Sequence, residues 1–287
     1  SKHIYNNMSV LFEYLKHCSI VHEKCNKTKI NFKEVLGCNI ECSQLNFGTH
    51  LSRFKNVDFI KIINLLEKLN ESVGWFSIAN FKNNLDLNFS SYIDDTRAKC
   101  EGNGIWHIRL ENAVGNDFMI DDRNCIITGP NAGGKSTFIK ALGINVILSQ
   151  TFGICAAKSF RHTPYYFINT QINIPDLAGK ESLFEAEMNR CKYILNIIQH
   201  LPENHKSFIL MDEIFSSTNV IEGISGAFAI LQKLTSYSSI TVIITTHLIY
   251  LTKLPQFVKM KMNASVTDDD IYYPYQLSLG VSKQYIA

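Results

Sequence analysis

Residues 125–137 read Cys125-Ile126-Ile127-Thr128-Gly129-Pro130-Asn131-Ala132-Gly133-Gly134-Lys135-Ser136-Thr137. The stretch from Gly129 to Ser136 fits the pattern GxxxxGK[ST], and its setting gives the pattern weight. An apolar strand, Cys125 to Thr128, leads into it, and a helix rich in Ile, Leu and Val opens at Lys135. A glycine-rich turn of ordinary kind has no such strand–loop–helix context. Glycines let the loop turn its backbone N–H groups toward phosphate oxygens, and the helix N-terminus adds its positive end. Lys135 then brings a point charge to the outer phosphates, and the Ser136 hydroxyl is placed to ligate Mg²⁺.

Working outward, the same texture recurs. Ser207 to Met211 reads as a second apolar strand, a helix is expected from Glu222, and Thr241 to Thr246 reads as a third strand. Strands alternating with helical patterns imply a mostly parallel sheet flanked by helices, and near-continuous apolar runs are what buried parallel strands require. Ile271 to Leu279 reads as one further strand, antiparallel or at the edge. The fold class is therefore α/β, of the P-loop NTPase type.

The second strand ends in Asp212-Glu213, about 75 residues after the loop. Acids abutting a buried strand are costly unless they face a cation or a polar site. An apolar run ending in two acids is common by itself, but after a phosphate loop it has a reading. Asp212 stands where an acid would support Mg²⁺, and Glu213 where a general base would polarise the attacking water. The third strand ends at Thr246-His247, on the strand edge where open α/β sheets bind ligands, and this order makes His247 a γ-phosphate contact rather than a structural histidine. His107 and His162 carry no comparable support.

Bulk properties set limits on the rest. Of the 287 residues 46% are apolar and 19% charged, which suits a packed core and excludes a disordered chain. No run of 18 apolar residues exists, so no membrane span is expected. The net charge of +2 marks no particular partner. The chain opens on Ser1 without a signal peptide, which reads as a fragment of an intracellular, cytoplasmic or nuclear protein, and its eight cysteines read as reduced thiols. His17, Cys18, His22, Cys25, Cys38 and Cys42 lie close in sequence, but their spacing is not that of a zinc site, and scattered thiols and surface histidines are the reading. Residues 1–72 look helical, with stripes at Leu11, Phe12, Tyr14 and Leu15 and at Ile60, Ile63, Leu66 and Leu69, joined by a Gly-, Asn- and Ser-rich connection from Cys38 to Thr49. The α/β unit is expected over 73–287.

Taken together, these residues resemble the ATPase domain of the MutS family. Thr128 to Thr137 resembles that family's TGPNxGGKST. Asp176-Leu177-Ala178-Gly179 and Ser182-Leu183-Phe184-Glu185-Ala186-Glu187-Met188 resemble its DDLA and STFMxEM segments, Asp212-Glu213-Ile214 with Gly223 its DExGRGTSxxDG, Thr246-His247 with Leu251-Thr252 its THxxELT, and Tyr275 to Ser282 its closing strand and turn. Gln150 and the pair Asn116-Asp117 are smaller echoes. The resemblance implies an ABC-type ATPase using ATP and Mg²⁺. Its nucleotide-binding residues would be Gly129, Pro130, Asn131, Ala132, Gly133, Gly134, Lys135, Ser136, Thr137 and Asn116, its metal ligands Ser136 and Asp212, and its catalytic residues Lys135, Glu213, His247 and Ser182. It implies a homo- or heterodimer in which Ser182 reaches the partner's nucleotide, coupled to DNA whose main contacts lie outside this chain. Residues 1–72 would be the end of the family's core and lever helices.

Departures from the family pattern place the chain outside the standard mismatch-repair branch. Ala132 replaces a usual Met, Phe215-Ser216-Ser217 replaces Gly-Arg-Gly, and Glu185 replaces an apolar residue. Ala113 stands where an aromatic often packs on adenine, with Phe118 the nearby substitute. Read to Ala287, the sequence is expected to lack the family's C-terminal helical dimerisation element and any mismatch-reading domain. Two alternatives compete. An SMC-type DNA ATPase would carry long heptads and an LSGG signature, and neither is present. A nucleotide-binding interaction protein with little turnover is opposed by the retention of Lys135, Asp212, Glu213 and His247.

Overall fold

A computed structural model describes residues 59–121, 124–172, 182–202, 204–266 and 271–282. The His/Cys cluster of 17–42, the stripe at 11–15 and the Asp176–Gly179 segment lie outside the described residues. The chain divides into two compact units, Ser1–Phe76 and Ser77–Ala287. Helix α1 runs Phe59–Asn84, so the helical texture continues past residue 73, where short strands were expected to begin.

The second unit is mixed α/β. Its larger sheet contains β5 (Asn124–Thr128), β8 (Phe167–Gln171), β9 (Ser207–Asp212), β10 (Ile240–Thr245), β11 (Phe257–Met262) and β14 (Leu277–Leu279), in the order β14-β11-β5-β10-β9-β8. All neighbours are parallel except β11 and β14, which run antiparallel. Expected and observed strands agree within a residue at 124–128, 207–212 and 240–245. The single strand expected over Ile271–Leu279 is instead two: β13 (Ile271–Tyr272) pairs with β12 (Ser265–Val266), while β14 alone joins the large sheet. Tyr275, at φ 54, breaks the run.

Alternation along the strands sorts side chains between two cores. Cys125, Ile127, Phe208, Leu210 and Ile243 join helix α2 (Lys135–Phe152) in one cluster. Ile126, Ile209, Met211, Val242 and Ile244 join α3 (Leu183–His200) and α4 (Val220–Leu234) in the other. Strands covered on both faces need apolar residues at every position, hence their unbroken hydrophobic runs. Helix α4 begins at Val220, two residues before the expected start, because the Asn219 side chain accepts the Ile221 N–H at 2.9 Å and caps it.

A second sheet went unread in the sequence. It holds β2 (Ser91–Tyr92), β7 (Ser159–His162), β3 (Lys99–Ile105) and β4 (Asn116–Asp121), in that order, while β1 (Asn88–Phe89) pairs with β6 (Ile154–Cys155). Cys100, Ile105, Phe118, Ile120 and Phe160 of this sheet share a cluster with Phe138, Ile139, Leu142 and Val146 of α2, so α2 is packed between two sheets. Full burial of each such side chain stabilises by about 1.5–3 kcal/mol. Gly143 makes this fit possible, since a Cβ there would lie 2.7 Å from the Leu210 methyl. Among the described residues no helix is long and apolar enough to cross a membrane, and Cys100, Cys125, Cys155 and Cys191 are buried free thiols.

A polar knot locks the C-terminal half of α2 to the second sheet. His162 is fully buried, its Nδ1 2.8 Å from the Thr163 carbonyl, its Nε2 2.9 Å from Ser149 Oγ, and its ring stacked on Tyr165. A carbonyl only accepts, so Nδ1 carries the hydrogen. Burial lowers the His162 pKa below 6.5, and the unfolded chain therefore takes up this proton at higher pH than the folded one. The stability that neutral His162 contributes is present above 6.5 and is lost as pH falls through the lowered folded value. Urea midpoints measured from neutral pH downward should fall more steeply for the parent than for His162→Gln; parallel pH profiles would remove His162 as a source of acid sensitivity.

Candidate functional site

The site lies at the carboxyl ends of β5, β9 and β10, which register alignment brings side by side. Thr245 pairs with both Ile127 and Asp212, and beyond the strands Glu213 N–H donates to Thr245 O and Thr246 N–H to Ile127 O, each at 3.0 Å. Between β5 and α2 the loop closes on itself through Gly133 N–H to Pro130 O at 3.1 Å. Gly134 sits at φ 93, and a Cβ there would lie 3.0 Å from the Tyr275 ring and 3.3 Å from the Met262 methyl. Ala132 takes φ 60 without being glycine.

Lys135 is the centre of the loop. It is 4% exposed, and its ammonium lies 3.1 Å from each of three acceptors: Gly129 O, Pro130 O and Glu213 Oε1. The second carboxylate oxygen of Glu213 is 3.8 Å from His247 Nδ1. Behind Glu213, the Thr245 hydroxyl donates to Asp212 Oδ1. Two left-handed residues follow one another closely here, Glu213 at φ 50 and Phe215 at φ 57.

A cavity of about 660 Å³ opens over this loop, within the range of small-molecule sites. Of the residues singled out in the sequence, Pro130, Asn131, Ala132, Gly133, Gly134, Lys135, Ser136, Thr137, Asn116 and Glu213 line it. Gly129 takes part through its carbonyl. Asn116 has its amide engaged by backbone: Nδ2 donates to Tyr275 O at 3.0 Å and Oδ1 accepts from Leu277 N–H at 2.6 Å, which ties β4 to the segment before β14. Asp212 and His247 stand next to Glu213 rather than in the lining. Ser182 is exposed and caps α3, its hydroxyl accepting the Glu185 N–H at 3.2 Å. Gln150 serves packing, its side chain bonded to both backbone groups of Tyr165. Phe118, the aromatic considered for the missing adenine contact, is buried against Phe138. Ala113 lines the cavity, and so does Tyr275, 47% exposed, which sequence reading did not single out. The Tyr275 ring reaches the loop only because β14 returns antiparallel to β11.

The donor set suits Mg²⁺. Among the described residues no group of three or more His, Cys, Asp or Glu gathers, and a cation held by one carboxylate, one hydroxyl and substrate phosphates needs none. Loop, buried lysine and strand-end acids have the arrangement of a P-loop fold. The family model for MutS domain V matches residues 125–286. Over 209 residues the chain is 32% identical to MutS protein homolog 4 of Mus musculus, an alignment covering 66% of this chain and 21% of that protein. The chain belongs to the MutS family through its domain V, a domain of P-loop ATPases that use ATP and Mg²⁺, and it spans about a fifth of the length of that curated relative.

The loop's backbone makes the same left-handed demand at two nearby positions, met by alanine at 132 and glycine at 134. Gly134→Ala should lower stability by about 1–2 kcal/mol, the cost of a left-handed L-residue, with crowding against Tyr275 in addition. Ala132→Gly should leave stability unchanged or raise it by up to about 1 kcal/mol. Urea unfolding of both variants checks this; equal stabilities would contradict the loop geometry.

Proposed function

We propose that this chain binds ATP with Mg²⁺ in the cavity above Lys135 and hydrolyses it, as the ABC-type ATPase unit, residues 73–287, of a MutS-like DNA-associated protein. The observation that carries the reading is the meeting of Lys135 and Glu213 at 3.1 Å on the rim of that cavity, a cation and a carboxylate brought together from the ends of two different strands.

In this reading Lys135 neutralises the outer phosphates, and phosphate oxygens compete with Glu213 for the same ammonium. Glu213, released from that pair, accepts the proton of the attacking water. His247, beside Glu213, contacts the γ-phosphate side. Ser136 and Asp212 would hold Mg²⁺, which when bound would neutralise negative charge on the phosphates. Tyr275, whose ring lies against the loop at Gly134, offers an aromatic face to the cavity. The site is completed by a second subunit, identical or related, whose Ser182 donates to the γ-phosphate of its partner's ATP. The nucleotide state of the dimer is coupled to DNA clamping, with the main DNA contacts outside these residues.

Lys135→Ala should abolish binding of a fluorescent ATP analogue; unchanged affinity would remove Lys135 from the site. Glu213→Gln should bind ATP as the parent does and turn over roughly a hundredfold more slowly or worse, the scale of losing a general base; turnover at the parental rate would move the base elsewhere, with His247 next in line. Mixing inactive Lys135→Ala and Ser182→Ala chains should restore part of the activity, because the mixed dimer holds one intact composite site. No recovery while mixed dimers are seen by size measurement would leave Ser182 only the helix-capping role.

A further inference from the structure

Glu187 lies on α3, inward-facing and 6% exposed, away from the cavity lining. A buried carboxylate is costly unless it is bonded. Its Oε2 accepts the Phe215 N–H at 3.1 Å and the Ser217 hydroxyl at 3.4 Å. Both donors belong to the loop after β9, the loop that begins with Glu213. Burial pushes the Glu187 pKa above 4.5, so the charge is held there at a cost to the fold.

The loop needs such a hold. Glu213 and Phe215 both occupy left-handed backbone, which L-residues adopt at a cost of about 1–2 kcal/mol each and keep only where the surroundings over-determine them. Three contacts converge on Phe215. Its N–H is held by Glu187. Its ring, 1% exposed, packs 5.3 Å from the Phe184 ring, also on α3. Its carbonyl closes on Gly223 of α4, where a Cβ would lie 2.5 Å away. On the other side, Glu213 N–H is fixed to Thr245 O. Between these two anchored points the Glu213 carboxylate reaches the Lys135 ammonium at 3.1 Å.

We propose that Glu187 is a positioning residue for Glu213: by holding the Phe215 N–H it fixes the left-handed turn from which the Glu213 carboxylate reaches the nucleotide site. The inference rests on the reading of Glu213 as the general base. Ser182 caps the same helix five residues earlier, so the cap, Phe184 and Glu187 belong to one rigid element.

The experiment uses Glu187→Leu, Glu187→Asp and Glu187→Gln, each alone and combined with Glu213→Gln. ATP affinity, kcat and amide hydrogen exchange at Phe215 are measured on the chain. Glu187→Leu lacks an acceptor, and Glu187→Asp keeps the charge but falls one methylene short. Both should lower kcat by about tenfold to a hundredfold, the scale of misplacing a catalytic group, with ATP affinity within about twofold of the parent. Both should speed exchange at Phe215. Glu187→Gln still offers one acceptor and should recover most of both effects. In the Glu213→Gln background the Glu187 substitutions should add no further loss, since they act through the same carboxylate. A loss that multiplies with that of Glu213→Gln, or an unchanged Phe215 exchange rate, overturns the proposal. Full turnover in Glu213→Gln itself would instead sink the general-base reading, while Phe215 exchange still reports whether Glu187 holds the turn.

Discussion

The ammonium of Lys135 is the point on which the site depends. An unpaired buried cation would be several kcal/mol out of place, and this one is met by two loop carbonyls and the Glu213 carboxylate. Those three acceptors come from the loop after β5 and the end of β9, so one charged group ties together the loop, the first turn of α2 and the strand that carries the acids. The carbonyls shape the loop, and the carboxylate joins the loop to the end of β9.

That ammonium is kept in place by packing on a larger scale. Helix α2 begins at Lys135 and is buried between two sheets, so its first turn has little freedom to shift. Parallel register between β5, β10 and β9 sets Ile127, Thr245 and Asp212 along one edge. The smaller, mixed sheet contributes a wall: Asn116, at the start of β4, bonds the backbone of Tyr275 and Leu277, and the Tyr275 ring lies against the loop at Gly134. The cavity is thus bounded by both sheets: Lys135 and Glu213 stand after strands of the larger one, and Glu111 lies between β3 and β4 of the smaller.

Backbone strain is concentrated in the same place. Ala132, Glu213 and Phe215 are left-handed without being glycine; Glu213 is half of the ion pair with Lys135, and the other two stand within three residues of its members. At Phe215 the chain has exchanged conformational ease for a buried ring against Phe184, and the neighbouring α3 and α4 supply the contacts that hold the turn. A loop that would be permissive with glycine is here specified by its surroundings.

Much was legible in the sequence because it is local. The three buried strands, the loop and the helix it opens follow from hydrophobic runs, glycine chemistry and the position of Lys135, and the resemblance to the MutS family rests on the same segments. Asp212 and Glu213 were readable as acids at a strand end. The sheet of β2, β7, β3 and β4 was not, because its strands are short or carry polar residues and glycines, as in Lys99–Ile105, and present no apolar run. The break at Tyr275, the hold of Glu187 on Phe215 and the bond of Asn116 to Tyr275, 159 residues away in sequence, were decided by tertiary structure alone. The physical reason is reach: propensity and periodicity act over one element, whereas a buried carboxylate, a left-handed turn or a cavity wall acquires its meaning from whichever distant backbone the packing sets against it.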